Sequence, residues 1–321
     1  MCLTEADEVP SANAYTEFLG ELTRAGLLIP SGVRGLYGRG GEFERVVDHF
    51  ERYIGREARA AAGGPPAEVM RFPPLMTRAD YSKLNHIHNF PDLMGSVHAF
   101  MGKDAEHREL TRKFSKGEDW SRDLSASDVM LVPAACYPLY PTATGTLPTH
   151  GRVVDLKTFV FRHEPSDDPA RMQIFRQREL VRLGTADEAL AHRDAWLARG
   201  KRMLEACLLP VEAVVANDPF FGRGGRLAKA TQREQVLKYE LVVPICSTEN
   251  PTAVSSSNLH LDYFGHAFGI HTPDGHDAHT ACIGFGLERI TLALFRHHGL
   301  AIADWPAEVR ALLRLDRSDE D

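Results

Sequence analysis

Apolar residues at Phe43, Val46, Val47, Phe50 and Ile54 recur with helical spacing, so the stretch from Glu42 to Ala61 predicts a helix with one apolar stripe. The break Ala62-Gly-Gly-Pro-Pro66 ends it. Glu68 to Met76 is patterned as a strand, and its Pro73-Pro74 pair suits an edge or an interface better than a sheet centre. Strand patterns return at Asp128 to Pro133, Arg152 to Phe161, Gln173 to Val181, Leu237 to Cys246 and His279 to Gly284. Asp187 to Leu209 predicts a helix with Leu190, Trp196, Leu197, Met203 and Leu204 facing inward; shorter helices follow at Leu287 to Phe295 and Pro306 to Leu315. Strands joined by turns and flanked by helices, without a βαβ rhythm, predict an α/β protein of the α+β kind on an antiparallel sheet.

Composition narrows the classes. The chain has 321 residues, 43% of them hydrophobic, enough for one large domain or two modest ones. No apolar run approaches the roughly 18 residues of a membrane span. Met1 to Pro10 is acidic and polar, unlike a secretory signal, so no membrane association and a cytoplasmic location are expected. The net charge of −7 disfavours a broad nucleic-acid surface. Five scattered cysteines without a C-x-x-C pair argue against a disulfide framework or a zinc ribbon.

Against that acidic balance, Phe161-Arg-His-Glu-Pro-Ser-Asp-Asp-Pro-Ala-Arg-Met-Gln-Ile-Phe-Arg-Gln-Arg-Glu179 crowds four arginines into a strand-like segment. Residues two apart on a strand share a face, so Arg162 pairs with Glu164, and Arg171 with Phe175 and Glu179, across a turn from Pro165 to Ala170. A solvated hairpin with surface ion pairs is the plain alternative. Arginine forks suit phosphate, an aromatic ring can stack a base, and a carboxylate can accept from an exocyclic amine. Farther on, Gly284-Phe-Gly-Leu-Glu-Arg289 runs from a strand into a helix, where glycines admit a ligand to the backbone and a helix start favours an anion.

These segments resemble motifs 2 and 3 of the class II aminoacyl-tRNA synthetases, and the helix from Glu42 with Pro73 and Pro74 resembles motif 1, which builds the homodimer in that family. The stretches Val215-Ala-Asn-Asp-Pro-Phe-Phe221, Lys238-Tyr-Glu240 and Ser255-Ser-Ser-Asn258 are similar to the archaeal-type seryl enzymes. The resemblance implies one catalytic domain over 1–321, with an N-terminal extension over 1–40 and a helical insertion at about 185–230 between motifs 2 and 3. It implies that Arg162 holds the α-phosphate of ATP, Glu164 the adenine edge, Phe175 the ring, and Arg289 the γ-phosphate with Arg171 beside it. Met172 and the run Ala253, Val254, Ser255 and Ser256 complete the ATP set; Arg162 and Arg289 are the catalytic pair. Mg²⁺ accompanies the triphosphate, yet Ala253-Val254 stands where the family has its metal-binding carboxylate, leaving the Mg²⁺ ligand open. Cys136 sits where the archaeal-type relatives use cysteine, and with Glu179 and Cys282 it implies a Zn²⁺ site whose open position takes the substrate amine. Ser257 and Asn258 join Cys136 and Glu179 as substrate-binding candidates. Cys2, Cys207 and Cys246 are expected to be inert.

Only about 40 residues precede the motif 1 helix, with no room for a coiled-coil arm that grips tRNA. This resembles the amino acid:[carrier protein] ligases, which charge the phosphopantetheine thiol of a carrier protein. A small amino acid, glycine before alanine, is then the expected substrate and tRNA is not expected as a partner. A minimal seryl-type tRNA synthetase and a noncatalytic synthetase-like subunit remain as alternatives. Carrier proteins are acidic, so the cations Arg193, Arg199, Lys201 and Arg202 and those of Gly222 to Lys229 are candidates for a dock, against the plainer reading of a solvated face.

Overall fold

A computed structural model describes residues 12–61, 66–216 and 236–316. Its centre is a seven-stranded sheet. In chain order the strands are β1 (Glu68–Met70), β2 (Arg152–Phe161), β3 (Ile174–Gly184), β4 (Glu212–Val215), β5 (Lys238–Val243), β6 (Thr252–Leu261) and β7 (His279–Gly286). They lie in the order β4-β5-β6-β7-β3-β2-β1, and every pairing is antiparallel except β1 with β2.

Helices cover one face of this sheet. Helix α1 (Ala12–Arg24) leads in, and α2 (Gly41–Ala60) buries Phe43, Val46, Val47, Phe50 and Ile54, the stripe read from the sequence. Phe50 meets Phe285 of β7 edge-on, and Phe43 stacks on Phe295 of helix α4 (Leu287–His298). Helix α3 (Ala186–Ala206) approaches closely at Gly200, where a Cβ would stand 2.9 Å from the Ile283 side chain. A Thr185 and Glu188 capping box starts this helix.

Several expectations change. Leu190 points to solvent, 40% exposed, because the inward stripe of α3 runs through Ala189, Arg193, Trp196, Gly200, Met203 and Leu204. The strand expected over Glu68 to Met76 splits at Pro73-Pro74, which cannot donate to a ladder: Glu68–Met70 joins the main sheet, and Leu75–Thr77 joins a separate three-stranded sheet. Strand β6 went unread although it is central and ten residues long, because its core is Ser255-Ser-Ser-Asn258. The expected insertion at about 185–230 holds α3 and β4; Gly222 to Lys229 lies outside the described residues.

Two arginines of β3 that the sequence left without a role face the helices. Arg178 makes a two-pronged pair with Asp155 of β2 and donates to the Glu51 carbonyl of α2. Arg176 bonds Glu44 of α2 and Glu288 of α4, and Glu288, 1% exposed, also meets Arg39 at 3.1 Å. Breaking one partner of such a buried pair leaves an uncompensated charge. Asp155→Ala is therefore expected to cost about 3–5 kcal/mol in urea unfolding at fixed protein concentration, and Asp155→Leu with Arg178→Met to recover most of it; equal losses in both variants would refute the pairing.

Candidate active site

The sheet face away from the helices carries the chemistry. Opposite residues in antiparallel strands share a face, and the register sets Glu179 beside Gly284, Gly284 beside Ser256, and Ser256 beside Glu240. Phe175, Gln177 and Glu179 alternate along β3 on this face. Above them lies a cleft of about 690 Å³.

At one end Phe175, 4% exposed, has the Arg162 guanidinium 5.5 Å and the Arg289 guanidinium 5.6 Å from its ring centre. Arg162 and Glu164 reach the cleft from the loop after β2, which ends at Phe161, so strand periodicity is not what aims them. Arg162 donates to the Pro133 carbonyl, and Arg171 to Glu164 at 3.1 Å. Arg289 donates only to backbone carbonyls among the described residues, those of Ala170 and Ala253. Burial first, then the positive charge of Arg162, pulls its pKa down to about 10. At this end three arginines face two carboxylates, Glu164 and Asp168, while Lys238, Glu240 and Glu249 line the rest of the cleft.

Asp168 was not anticipated. It lines the cleft, accepts from the Ala170 amide, and burial pushes its carboxyl pKa up. Gln177 was also missed, although it lies midway between Phe175 and Glu179 on the same strand face; its Oε1 accepts from the Ala135 amide at 3.2 Å. Ala253, Val254, Ser255 and Ser256 line the cleft, but the Ser255 hydroxyl is engaged by the Gly284 carbonyl. Ser257 points to the helix face instead, where its hydroxyl donates to the Arg193 carbonyl of α3; its neighbours Ser256 and Asn258 take the cleft side by alternation. Met172 is buried against Arg39 and does not line the cleft.

Beside the cleft, though not among the residues that line it, Cys136, Glu179 and Cys282 bring their ligand atoms within 4.8 Å of one another, all buried. Glu179 Oε1 accepts from the Ala135 amide at 2.9 Å, while its buried Oε2 has no hydrogen-bond partner among the described residues. Burial, then Cys282, pushes the Glu179 pKa up to about 8. Burial, then Cys282 and Glu179, drives the Cys136 thiol well up. The Cys282 thiol is driven well down, first by the hydrogen bond from Cys136, then, against burial, by His260 and Asn258. Two thiols and an orphaned carboxylate oxygen fit a Zn²⁺ ion with an open position. Cys207 and Cys246 stand apart, with thiol pKa values pushed up to about 12 by burial.

The cationic face expected on α3 is mostly engaged. Arg193 bonds Asp194 and the Val236 carbonyl, Arg199 bonds Glu57 of α2, and Lys201 pairs with Glu205, leaving Arg202 exposed. Among the described residues no helix is long and apolar enough to cross a membrane.

No family model matches the chain. Two proteins of Bradyrhizobium diazoefficiens do resemble it: amino acid–[acyl-carrier-protein] ligase 2, 42% identical over 290 residues, covering 90% of this chain and 85% of that protein, and ligase 1, 39% identical over 286 residues, covering 88% and 86%. Among solved structures, the seryl-tRNA synthetase of M. kandleri, in complex with the A. aeolicus tRNASec, matches at a TM-score of 0.78 with 21% identity, covering 98% of this chain and 62% of that one. The latter fixes the fold as that of a class II synthetase core, and the former place the chain, a ligase, in the amino acid–[acyl-carrier-protein] ligase family.

Proposed function

We propose that the chain activates a small amino acid with Mg·ATP and passes the aminoacyl group to the phosphopantetheine thiol of a carrier protein. One observation carries this reading: a single strand, β3, presents Phe175 to a cationic pocket and Glu179 to a buried cysteine pair, about 13 Å apart at a strand's rise. That spacing suits an aminoacyl-adenylate laid along the strand, base at one end and amine at the other. The names of the two Bradyrhizobium relatives supply the acceptor.

Phe175 takes one face of the adenine, with Arg289 close by, and Glu164 reads its edge. Arg162 grips the α-phosphate, and Arg289 with Arg171 beside it the γ-phosphate, donors set in place before charge develops. A zinc ion held by Cys136, Glu179 and Cys282 supplies a Lewis acid for a neutral amine. The substrate carboxylate oxygen then attacks the α-phosphorus and pyrophosphate leaves, Arg162 offsetting the charge that builds on the phosphoryl oxygens. In the second step the carrier thiolate attacks the acyl carbon and AMP departs with the pair of electrons from the broken C–O bond. Glycine, then alanine, is the substrate that the resemblance to the carrier-protein ligases implies, and Gly284 beside Glu179 leaves room for it there. Strand β1, an edge with Val69 68% exposed, supports a homodimer built on that side.

Amino-acid-dependent exchange of pyrophosphate into ATP is expected to be fastest with glycine; fastest exchange with serine would sink the substrate assignment. Labelled glycine is expected to transfer to holo-carrier protein and not to tRNA, and charging of tRNA alone would favour a synthetase. Arg162→Ala is expected to lower exchange about 100- to 1000-fold, the cost of removing one preorganised donor. Cys136→Ala and Cys282→Ala are expected to lose bound zinc and exchange together; full exchange by metal-stripped protein would rule out the zinc role.

A further inference from the structure

Three polar side chains surround the two thiols: Tyr140 and His260, which have no part in the activity described above, and Asn258, which the sequence offered only as a substrate-binding candidate. Asn258, directly opposite Cys282 in the β6 and β7 pairing, points its amide nitrogen at the Cys282 sulfur at 3.5 Å. His260, two residues on, places Nε2 at 3.7 Å from the same sulfur while its Nδ1 lies 3.0 Å from the Thr280 hydroxyl. Tyr140 follows Cys136 by one turn in the short helix Tyr137–Ala143, its ring stacked on Phe264 at 3.8 Å and its buried hydroxyl without a hydrogen-bond partner among the described residues. A phenol hydroxyl can donate, and this one lies one helical turn from Cys136.

We propose that Tyr140 and His260, with Asn258, are positioning residues that hydrogen-bond the two cysteine sulfurs and set how much negative charge they place on a metal ion. This rests on the reading that Cys136, Glu179 and Cys282 hold a metal. Two thiolates and a carboxylate together carry more negative charge than a divalent ion carries positive, which weakens that ion's pull on a further ligand. Donors aimed at the sulfurs draw the excess charge outward. The ring orientation follows from the same contacts. A nitrogen facing a thiolate must carry the proton, so Nε2 donates to Cys282 and Nδ1 accepts from Thr280.

The test uses the full chain loaded with Co²⁺, whose thiolate-to-metal absorption band reports charge on sulfur, beside zinc affinity from chelator competition. Tyr140→Phe keeps the stack on Phe264 and removes only the hydroxyl; His260→Leu removes a donor, and His260→Gln restores one. The first two are expected to move the band to longer wavelength and to weaken zinc binding by about 10-fold each, while His260→Gln stays near the parent. Unchanged band and affinity in Tyr140→Phe, with its melting temperature retained, overturn the proposal. Failure of the parent chain to bind either Co²⁺ or Zn²⁺ overturns the metal reading itself, and this inference with it.

Discussion

The two-residue period of β3 is the constraint on which the rest depends. Its even-numbered arginines and its odd-numbered cleft residues occupy one strand, so a slip of a single position would drive Arg178 toward the cysteine pair and Glu179 into the helices. The buried pairs of Arg178 with Asp155 and of Arg176 with Glu288 and Glu44 make that slip costly. Ion pairs of this kind add little net stability against apolar replacements of equal volume. Their effect here is to pin register. They also tie α2 and α4 to the strand that carries the site, so the resemblance to motifs 1, 2 and 3 describes one mechanical unit.

The cleft is arranged the other way. Arg289 is buried yet finds only neutral carbonyls as direct partners among the described residues, and its depressed pKa follows from that burial and from Arg162 nearby. A cation left in this state raises the energy of the free protein, and an anionic ligand lowers it again. The chain's net charge of −7 conceals this buried cation, since most of the other arginines among the described residues are matched with carboxylates. Composition describes the surface of such a protein; the site is its exception.

How much could be read in the sequence depends on how local each signal is. The stripe of α2 and the hairpin of β2 and β3 are carried by residues within a few positions of one another, and both were legible. Strand β6 was not, because a run of serines has no apolar alternation to detect; its strand character comes from pairing between β5 and β7, which are distant in the chain. Arg162 and Glu164 do reach the cleft, although from a loop, so a correct placement came with the wrong geometric reason. On α3 the partner of Arg199, Glu57, lies 142 residues away and carries no local signal, whereas Asp194 beside Arg193 and Glu205 one turn from Lys201 are legible in the sequence. Ser257 shows the limit within one strand: in Ser255-Ser-Ser-Asn258 composition cannot say which serine faces the cleft, and only the register does.

The same register accounts for the position of the cysteine pair. Cys282 lies one step across the sheet from Asn258 and two residues before Gly284, so the strand that contributes a thiol also contributes the bare floor beside Glu179. A Cβ at Gly284 would stand 3.4 Å from the Glu179 Cγ, in van der Waals contact with the side chain whose carboxylate completes the trio. The arrangement of the trio and the space beside Gly284 are therefore set by one row of the sheet. A larger residue in that row would fill the space beside Glu179 and touch the trio in the same step.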